Sequence, residues 1–222
     1  MAIDLANNGY SLGLVARRTE LLASIADSLP TSVLTRTVDV TNGEKAEQIL
    51  SALIEEMGDV DLVVLSSGVG FSNPNLDWDK EAETIEVNVT GFARMVNVVV
   101  HHFSTKRKGH LVGISSISGV RGNGAAPAYG ASKSFETNYL QAIRHRFAKS
   151  KVPVYVTTVQ PGFVNTAMAK GEGLFWVAPV EIASRQILEA IRKRKSNVYV
   201  TKRWRLVAWL LKVLPDSIYH KL

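Results

Sequence analysis

A serine, a tyrosine and a lysine within GISSISGVRGNGAAPAYGASKSF, residues 113–135, are the side chains of this chain best suited to chemistry. Tyr129 and Lys133 stand four residues apart, which on a helix puts the phenol and the ammonium on one face, one turn from each other. An ammonium held beside a phenol favours the phenolate, so a group that ordinarily ionises near pH ~10 can exchange a proton closer to neutrality. The pair can therefore work as a general acid or base. Ser116 precedes the tyrosine and directly follows the strand-like run 110–114, so its hydroxyl could bond the same oxygen that Tyr129 protonates. By itself a Tyr and a Lys at this spacing means little, because the pair also arises by chance on helix surfaces.

In context these residues resemble the signature of the short-chain dehydrogenase/reductase family, a Ser followed by Tyr-x-x-x-Lys on a single Rossmann-type domain. Further stretches agree and come in the right order. Asn88 in Asn88-Val89-Thr90-Gly91 is similar to the family's active-site Asn, and the run Ser66, Ser67, Gly68, Val69, Gly70 resembles a variant of its Asn-Asn-Ala-Gly turn. Asp39-Val40 resembles an adenine-side contact, and Pro161, Gly162, Phe163, Val164, Asn165, Thr166 the nicotinamide-side motif. The resemblance implies a doubly wound parallel sheet with helices on both faces, spanning 1–222 as one domain, and hydride transfer between a nicotinamide cofactor and a carbonyl/alcohol pair. It further implies that Tyr129 donates the proton, Ser116 steadies the oxygen, Lys133 binds the ribose, Asn88 orders water near Lys133, and Thr166 meets the carboxamide. A homodimer or homotetramer is the implied assembly. Arg17 and Arg18 stand where the family uses an Asp for the ribose of NAD; a guanidinium there can grip a 2′-phosphate, so NADP(H) is the implied cofactor. The alternative is two solvated arginines at the start of a helix.

The chain has 222 residues, 46% of them hydrophobic, which suits one α/β domain. Its formal charge of +6 and pI near 9.5 fit an enzyme for a phosphorylated cofactor. With no cysteine, disulfides, thiolate catalysis and Cys-based metal sites are excluded, and no metal site is expected. The first residues carry an acid at position 4 and no basic lead into an apolar stretch, so they do not form a secretory signal, and no run approaches a membrane span. A cytoplasmic protein, with membrane association open, is the expectation. Nucleic acid is not an expected partner, since the basic residues have no groove to line.

The elements that must position the site follow from the apolar pattern. Residues 1–8 read as the tail of a helix stopped by Gly9, followed by a strand at 10–16. In a dinucleotide-binding unit a strand and a Gly-rich turn come before such a helix, and the sequence has neither. A central gap is thus expected between the strands at 10–16 and 61–65. Two explanations stand open: a natural segment upstream of residue 1 that carries the strand and turn, or a shortened non-catalytic relative that works as a binding or membrane-associated interaction protein. Downstream, a helix at 20–28, a strand at 33–40 and a helix from a Thr41/Glu44 capping box to about residue 57 are expected. Residues 61–65 read as a buried parallel strand and 80–103 as one long helix carrying Asn88, whose side chain either serves the site or faces solvent. The helix 127–148 bears Tyr129 and Lys133, the strand 152–159 leads into the Pro161 turn, Pro179 opens a helix at its first position, and 197–201 is a last strand.

Two segments remain. Residues 165–178, with Leu174, Phe175 and Trp176, are irregular and read as a lid over the substrate. Residues 202–214 alternate Lys202, Arg203 and Arg205 with Trp204 and lead into an apolar run stopped by Pro215. That pattern suits an interfacial membrane segment, or a C-terminal helix folded over the pocket or into a subunit interface. The identity of the carbonyl or alcohol substrate is not legible.

Overall fold

The computed structural model describes residues 1–168 and 174–220. Among them, parallel strands rich in Val, Leu and Ile alternate with helices, as a sheet covered on both faces requires. Strand β1 (Leu12–Ala16) pairs with β2 (Val33–Thr37), Leu12 opposite Val33. A second sheet runs β3 (Leu62–Leu65), β4 (Gly109–Ile114), β5 (Val154–Pro161), β6 (Asn197–Val200), in that order. Its register sets Leu65 beside Gly113 and Ile114 beside Val159, so the carboxyl ends of three strands open on one edge.

The two sheets share no strand-to-strand pairing, which agrees with the expected central gap. The gap also corrects one expectation: residues 62–65, read as buried, are only half-buried along their whole length, because one side of the strand lacks a neighbour to cover it.

Helices α1 (Ala2–Ala6) and α7 (Val180–Arg192) lie on one face; α3 (Gly43–Met57), α5 (Phe92–Lys106) and α6 (Pro127–Ser150) lie on the other. α2 (Thr19–Asp27) packs against β1 and β2. Adjacent residues on a strand point to opposite faces, so Leu111 and Val112, both fully buried, serve two cores. Leu111 joins Val96, Val99, Phe103 and Leu140, whereas Val112 joins Leu12, Val159, Ile187 and Val200. Each such side chain contributes roughly 1.5–3 kcal/mol of burial, which fixes the sheet between the two helical layers.

Three local expectations change. The stretch 80–103 is not one α-helix: α4 (Trp78–Ile85) and α5 flank a π-helical turn at Glu86–Gly91. The wider turn brings Gly91 so close to Val40 that a Cβ on Gly91 would lie 2.8 Å from Val40 Cγ2. The Thr41/Glu44 capping box does not form, because the Thr41 hydroxyl donates to Asp39 Oδ1 (2.8 Å) and α3 starts behind Asn42 without a side-chain cap. Pro179 is the residue before the first turn of α7, not within it. No described helix is long and apolar enough to cross a membrane.

His110, at the start of β4, is buried with Nε2 2.7 Å from Thr157 Oγ1. Burial, aided by the charge of Arg194, pushes its pKa down to about 4. Its folded pKa lies below the unfolded value near 6.5, so the stability tied to the neutral ring is complete above about pH 6.5 and lost as pH falls through about 4. Melting temperatures recorded between about pH 7.5 and 4 should therefore fall more steeply for the wild type than for His110→Gln; parallel curves would exclude this residue as the source.

Candidate active site

The site is built where β4 ends. Ser115 is buried, and its hydroxyl donates to the Lys133 carbonyl (2.8 Å) and lies 2.9 Å from Thr137 Oγ1, pinning the strand end to the middle of α6. Ser116 caps a 3₁₀ turn, Ile117–Val120, with Oγ accepting from Ser118 N at 3.1 Å. That turn lies directly on α6: a Cβ on Gly119 would sit 2.5 Å from the Lys133 carbonyl carbon, and Ser134 Oγ donates to the Gly119 carbonyl. A serine cap and a side-chain-free contact thus bring Ser116 to the first turns of α6.

α6 opens on Pro127, and its free Ala128 N–H donates to Glu81 Oε2 (3.1 Å), a carboxylate placed favourably at a helix N-terminus. Tyr129 follows at once, half-buried, its ring laid over Gly70 so closely that a Cβ there would come within 2.6 Å of it. Among the described residues no protein group hydrogen-bonds the Tyr129 hydroxyl. One turn on, Lys133 is buried with Nζ 5.8 Å from the Tyr129 ring centroid. Its ammonium donates to Glu136 Oε1 (2.7 Å), Glu136 Oε2 (3.0 Å) and the Ile114 carbonyl (3.3 Å).

Asn88, in the π-helical turn, is completely buried, so the solvent-facing reading is excluded. Its Oδ1 accepts from Val69 N (2.9 Å), and its Nδ2 donates to the Val69 carbonyl (2.7 Å) and Ser132 Oγ (3.0 Å). Both amide hydrogens are committed to protein, so the side chain ties the turn after β3 to α6.

The residues expected on the cofactor side are only partly brought together. Arg17 and Asp39 line a cavity of about 240 Å³ with Thr37, Asn42 and Lys45 at the ends of β1 and β2. The Asp39 carboxyl is held below its usual range by the backbone N–H of Thr41, then by the Thr41 hydroxyl and the Arg17 charge, against the effect of burial. Arg18 precedes the first turn of α2, exposed, and does not line the cavity, while Val40 packs on Gly91. Half-buried Ser67 leads into Gly68, and a Cβ on Gly68 would lie 3.2 Å from Lys133 Nζ and 3.3 Å from Asn88 Oδ1. On the other side, Pro161 pairs with Val200, Gly162 N donates to the Val200 carbonyl (2.7 Å), Val164 bridges Ala178, and Thr166 is exposed. The expected lid, 165–178, falls partly outside the described residues; its Phe175 meets Phe163 edge to face, and Phe175 and Trp176 both pack against Trp204, whose indole covers Gly162.

This donor set fits a nicotinamide dinucleotide at both ends. Two cations, Arg17 and Lys45, line the cavity at the ends of β1 and β2, and bare Gly68 leaves room beside Lys133. Sequence reading missed Lys45 and Glu136. Lys45 had no local signal, since only the fold brings α3 beside Arg17. Glu136 did have one: it stands four residues before buried Leu140, on the inward stripe, and three after Lys133.

Asn88→Ala would leave the N–H and carbonyl of Val69 without partners, a loss of about 2–4 kcal/mol. The melting temperature, followed by circular dichroism, should drop by roughly 5–15 °C. A drop of only a degree or two would show that the turn after β3 holds without the amide.

The sequence profile described as short chain dehydrogenase matches residues 1–174. An uncharacterized oxidoreductase of Myxococcus xanthus (strain DK1622) is 29% identical over 228 residues, covering 99% of this chain and 88% of its own. Among solved structures, a 7beta-hydroxysteroid dehydrogenase superposes with a TM-score of 0.80 at 20% identity, over 96% of this chain and 86% of its own. ElxO with NADP bound gives 0.78 at 19% identity, over 89% of each chain. Such structural likenesses at low identity speak for a shared Rossmann-type fold. With the profile spanning well over half of its length, the chain belongs to the short-chain dehydrogenase family, oxidoreductases that use nicotinamide cofactors.

Proposed function

We propose that this chain interconverts a carbonyl compound and a secondary alcohol with NADP(H). The cofactor supplies or accepts the hydride. Tyr129 gives the proton to the carbonyl oxygen, and takes it back in the reverse direction. The observation that carries this reading is the Tyr129 hydroxyl: it has no protein partner among the described residues, and the Lys133 ammonium lies 5.8 Å from its ring centroid. Negative charge grows on the substrate oxygen in the transition state, and hydroxyl donors such as those of Ser116 and Tyr129 stabilise it. Lys133 stabilises the charge left on the phenolate oxygen and reaches the ribose. Asn88 keeps the turn after β3 against α6, so that Gly68 and Gly70 stay clear of the cofactor side.

Arg17 and Lys45 favour NADP(H) over NAD(H), because both charges complement a 2′-phosphate. The aromatic roof of Phe163, Phe175 and Trp204 favours a hydrophobic carbonyl. A likeness to a hydroxysteroid dehydrogenase and to a protein with NADP bound supports both choices. Half-buried Phe135 and Tyr139, stacked at 5.3 Å on α6, are the face assigned to a second copy in a dimer or tetramer.

The test is a fluorescence titration with NADPH and NADH, followed by turnover with a panel of ketones. NADPH should saturate and bind more tightly than NADH, and Tyr129→Phe should keep that binding while losing at least about 10²–10⁴ of the turnover. Unchanged turnover would remove Tyr129 from the chemistry. No saturable binding would favour a non-catalytic binding protein, a reading motivated by the lack of a Gly-rich strand–turn–helix among the described residues.

A contact with an anionic lipid surface is a second part of the proposal, resting on α8 (Trp204–Val213). Its inner face, Trp204 and Ala208 with Val207, packs on Ile117, Val120 and Phe163, as the pocket-covering reading of this segment expects. Its outer face leaves Leu206 69% and Trp209 64% exposed, beside Leu210 and Val213 and bordered by Lys202, Arg203, Arg205 and Lys212. Without an acid between 202 and 214, two copies of this face would meet cation to cation in either orientation, whereas anionic headgroups complement it. The protein should co-sediment with phosphatidylserine vesicles at low salt, and Leu206→Ser/Trp209→Ser should abolish this; equal sedimentation of the double variant would exclude α8.

A further inference from the structure

The buried carboxylate of Glu136 has no part in the proton transfer from Tyr129, yet it holds the lysine that assists it. An ammonium has three N–H donors, and those of Lys133 end on the two oxygens of Glu136 and on the Ile114 carbonyl. Glu136 in turn is completely buried and, among the described residues, has no hydrogen-bond partner other than Lys133. Each side chain is therefore the other's main partner. On the Gly68 side the backbone carries no side chain, and a Cβ there would lie 3.2 Å from Nζ.

We propose that Glu136 is a positioning residue that competes with the cofactor ribose for the Lys133 ammonium, so that cofactor binding opens the ion pair and draws a proton onto the Glu136 carboxylate. This rests on the hydride-transfer reading, since it requires Lys133 to serve the cofactor. The reason is the cost of an unpaired charge: once a ribose hydroxyl takes a donor from Nζ, a completely buried carboxylate loses part of its one described partner, and protonation removes the charge. The step balances simply. One proton from solvent adds to the carboxylate, Lys133 keeps its charge, and no covalent bond between heavy atoms changes.

Among the described residues, Lys133 is the one charged group that acts on that carboxylate. From α6 the neighbours are Lys133 and, beyond it, Tyr129; from β4 the Ile114 carbonyl; from the turn after β3 and from the π-helical turn, Gly68 and the Asn88 amide, both uncharged. On α4, Glu81 is tied to Asn73 Nδ2 and to the Ala128 N–H, and Glu86, which opens the π-helical turn, is exposed. Arg144, further along α6, is bound to the Val156 and Ser196 carbonyls. Burial accordingly pushes the Glu136 pKa up to about 7, opposed only by the charge and hydrogen bond of Lys133. Opening the pair removes that opposition, so the carboxyl takes its proton more readily still in the complex.

Calorimetry of NADPH binding in buffers of different ionisation enthalpy counts the protons taken up, and reads no turnover. At about pH 8 the wild type should take up close to one proton more than Glu136→Gln, and its affinity should fall by up to roughly tenfold for each pH unit above about 7, while the variant shows only the titration of the cofactor itself. If the Gln variant does not fold, the count on the wild type between about pH 6 and 9 decides: uptake must rise towards one proton as the free carboxylate ionises. Equal counts and parallel profiles in the two proteins, or a wild-type count that stays flat, would overturn the competition and leave the proposed reaction standing. No saturable NADPH binding by either protein at any pH would overturn the reaction, and the competition with it.

Discussion

A single buried amide holds the site together. Asn88 bonds both the N–H and the carbonyl of Val69 and reaches across to Ser132 on α6, so the turn after β3 cannot move without the helix that carries Tyr129 and Lys133. The π-helical turn is what makes this possible. A regular α-helix through 86–91 would bring a different face of the segment towards Val69; one widened turn lets the amide face inward while Gly91 packs on Val40. Backbone geometry that is unfavourable in isolation is thus stabilised by three hydrogen bonds in a dry setting, where each is strong and none is readily replaced by water.

Around that tie the elements are positioned by missing side chains. Gly70 lets the Tyr129 ring lie flat on the backbone, Gly119 lets the 3₁₀ turn after Ser116 touch α6, and Gly162 lets the Trp204 indole close the far side. The Tyr129 ring is thereby confined on the Gly70 side. Trp204 has a price in this arrangement, since its Nε1 is buried without a partner among the described residues. Its aromatic contacts with Phe163 and Phe175, at 5.5 and 5.0 Å between ring centroids, supply the compensating packing.

Much of this was legible in the sequence. Strand positions and the helix start at Pro127 follow from local patterns of neighbouring residues, whereas the motif order and the central gap come from the family resemblance. What stayed hidden depends on contacts between distant ones. Thr41 looked like a helix cap until Asp39, two residues back, took its hydroxyl. Arg17 and Arg18 look equivalent as a pair, but adjacent residues leave a strand in different directions, and only Arg17 faces the cavity that Lys45 completes from α3. Half-burial of β3 likewise depends on what lies across the gap, not on Leu62–Leu65 themselves.

The Lys133–Glu136 pair shows why a residue at the centre of a site can be misjudged as structural support. Buried ion pairs add little stability, because desolvating two charges offsets most of their attraction, and apolar residues of the same volume often do as well. Stability therefore does not account for a carboxylate placed at zero exposure with a lysine as its one partner. Control of charge does. With Glu136 in place the buried ammonium has a counter-charge and two acceptor oxygens that a lone buried cation would lack. The same carboxylate makes the ammonium's donors unavailable until something on the Gly68 side offers better bonds. A site arranged in this way keeps its charge through the empty state at the cost of a step that every ligand reaching Lys133 must complete.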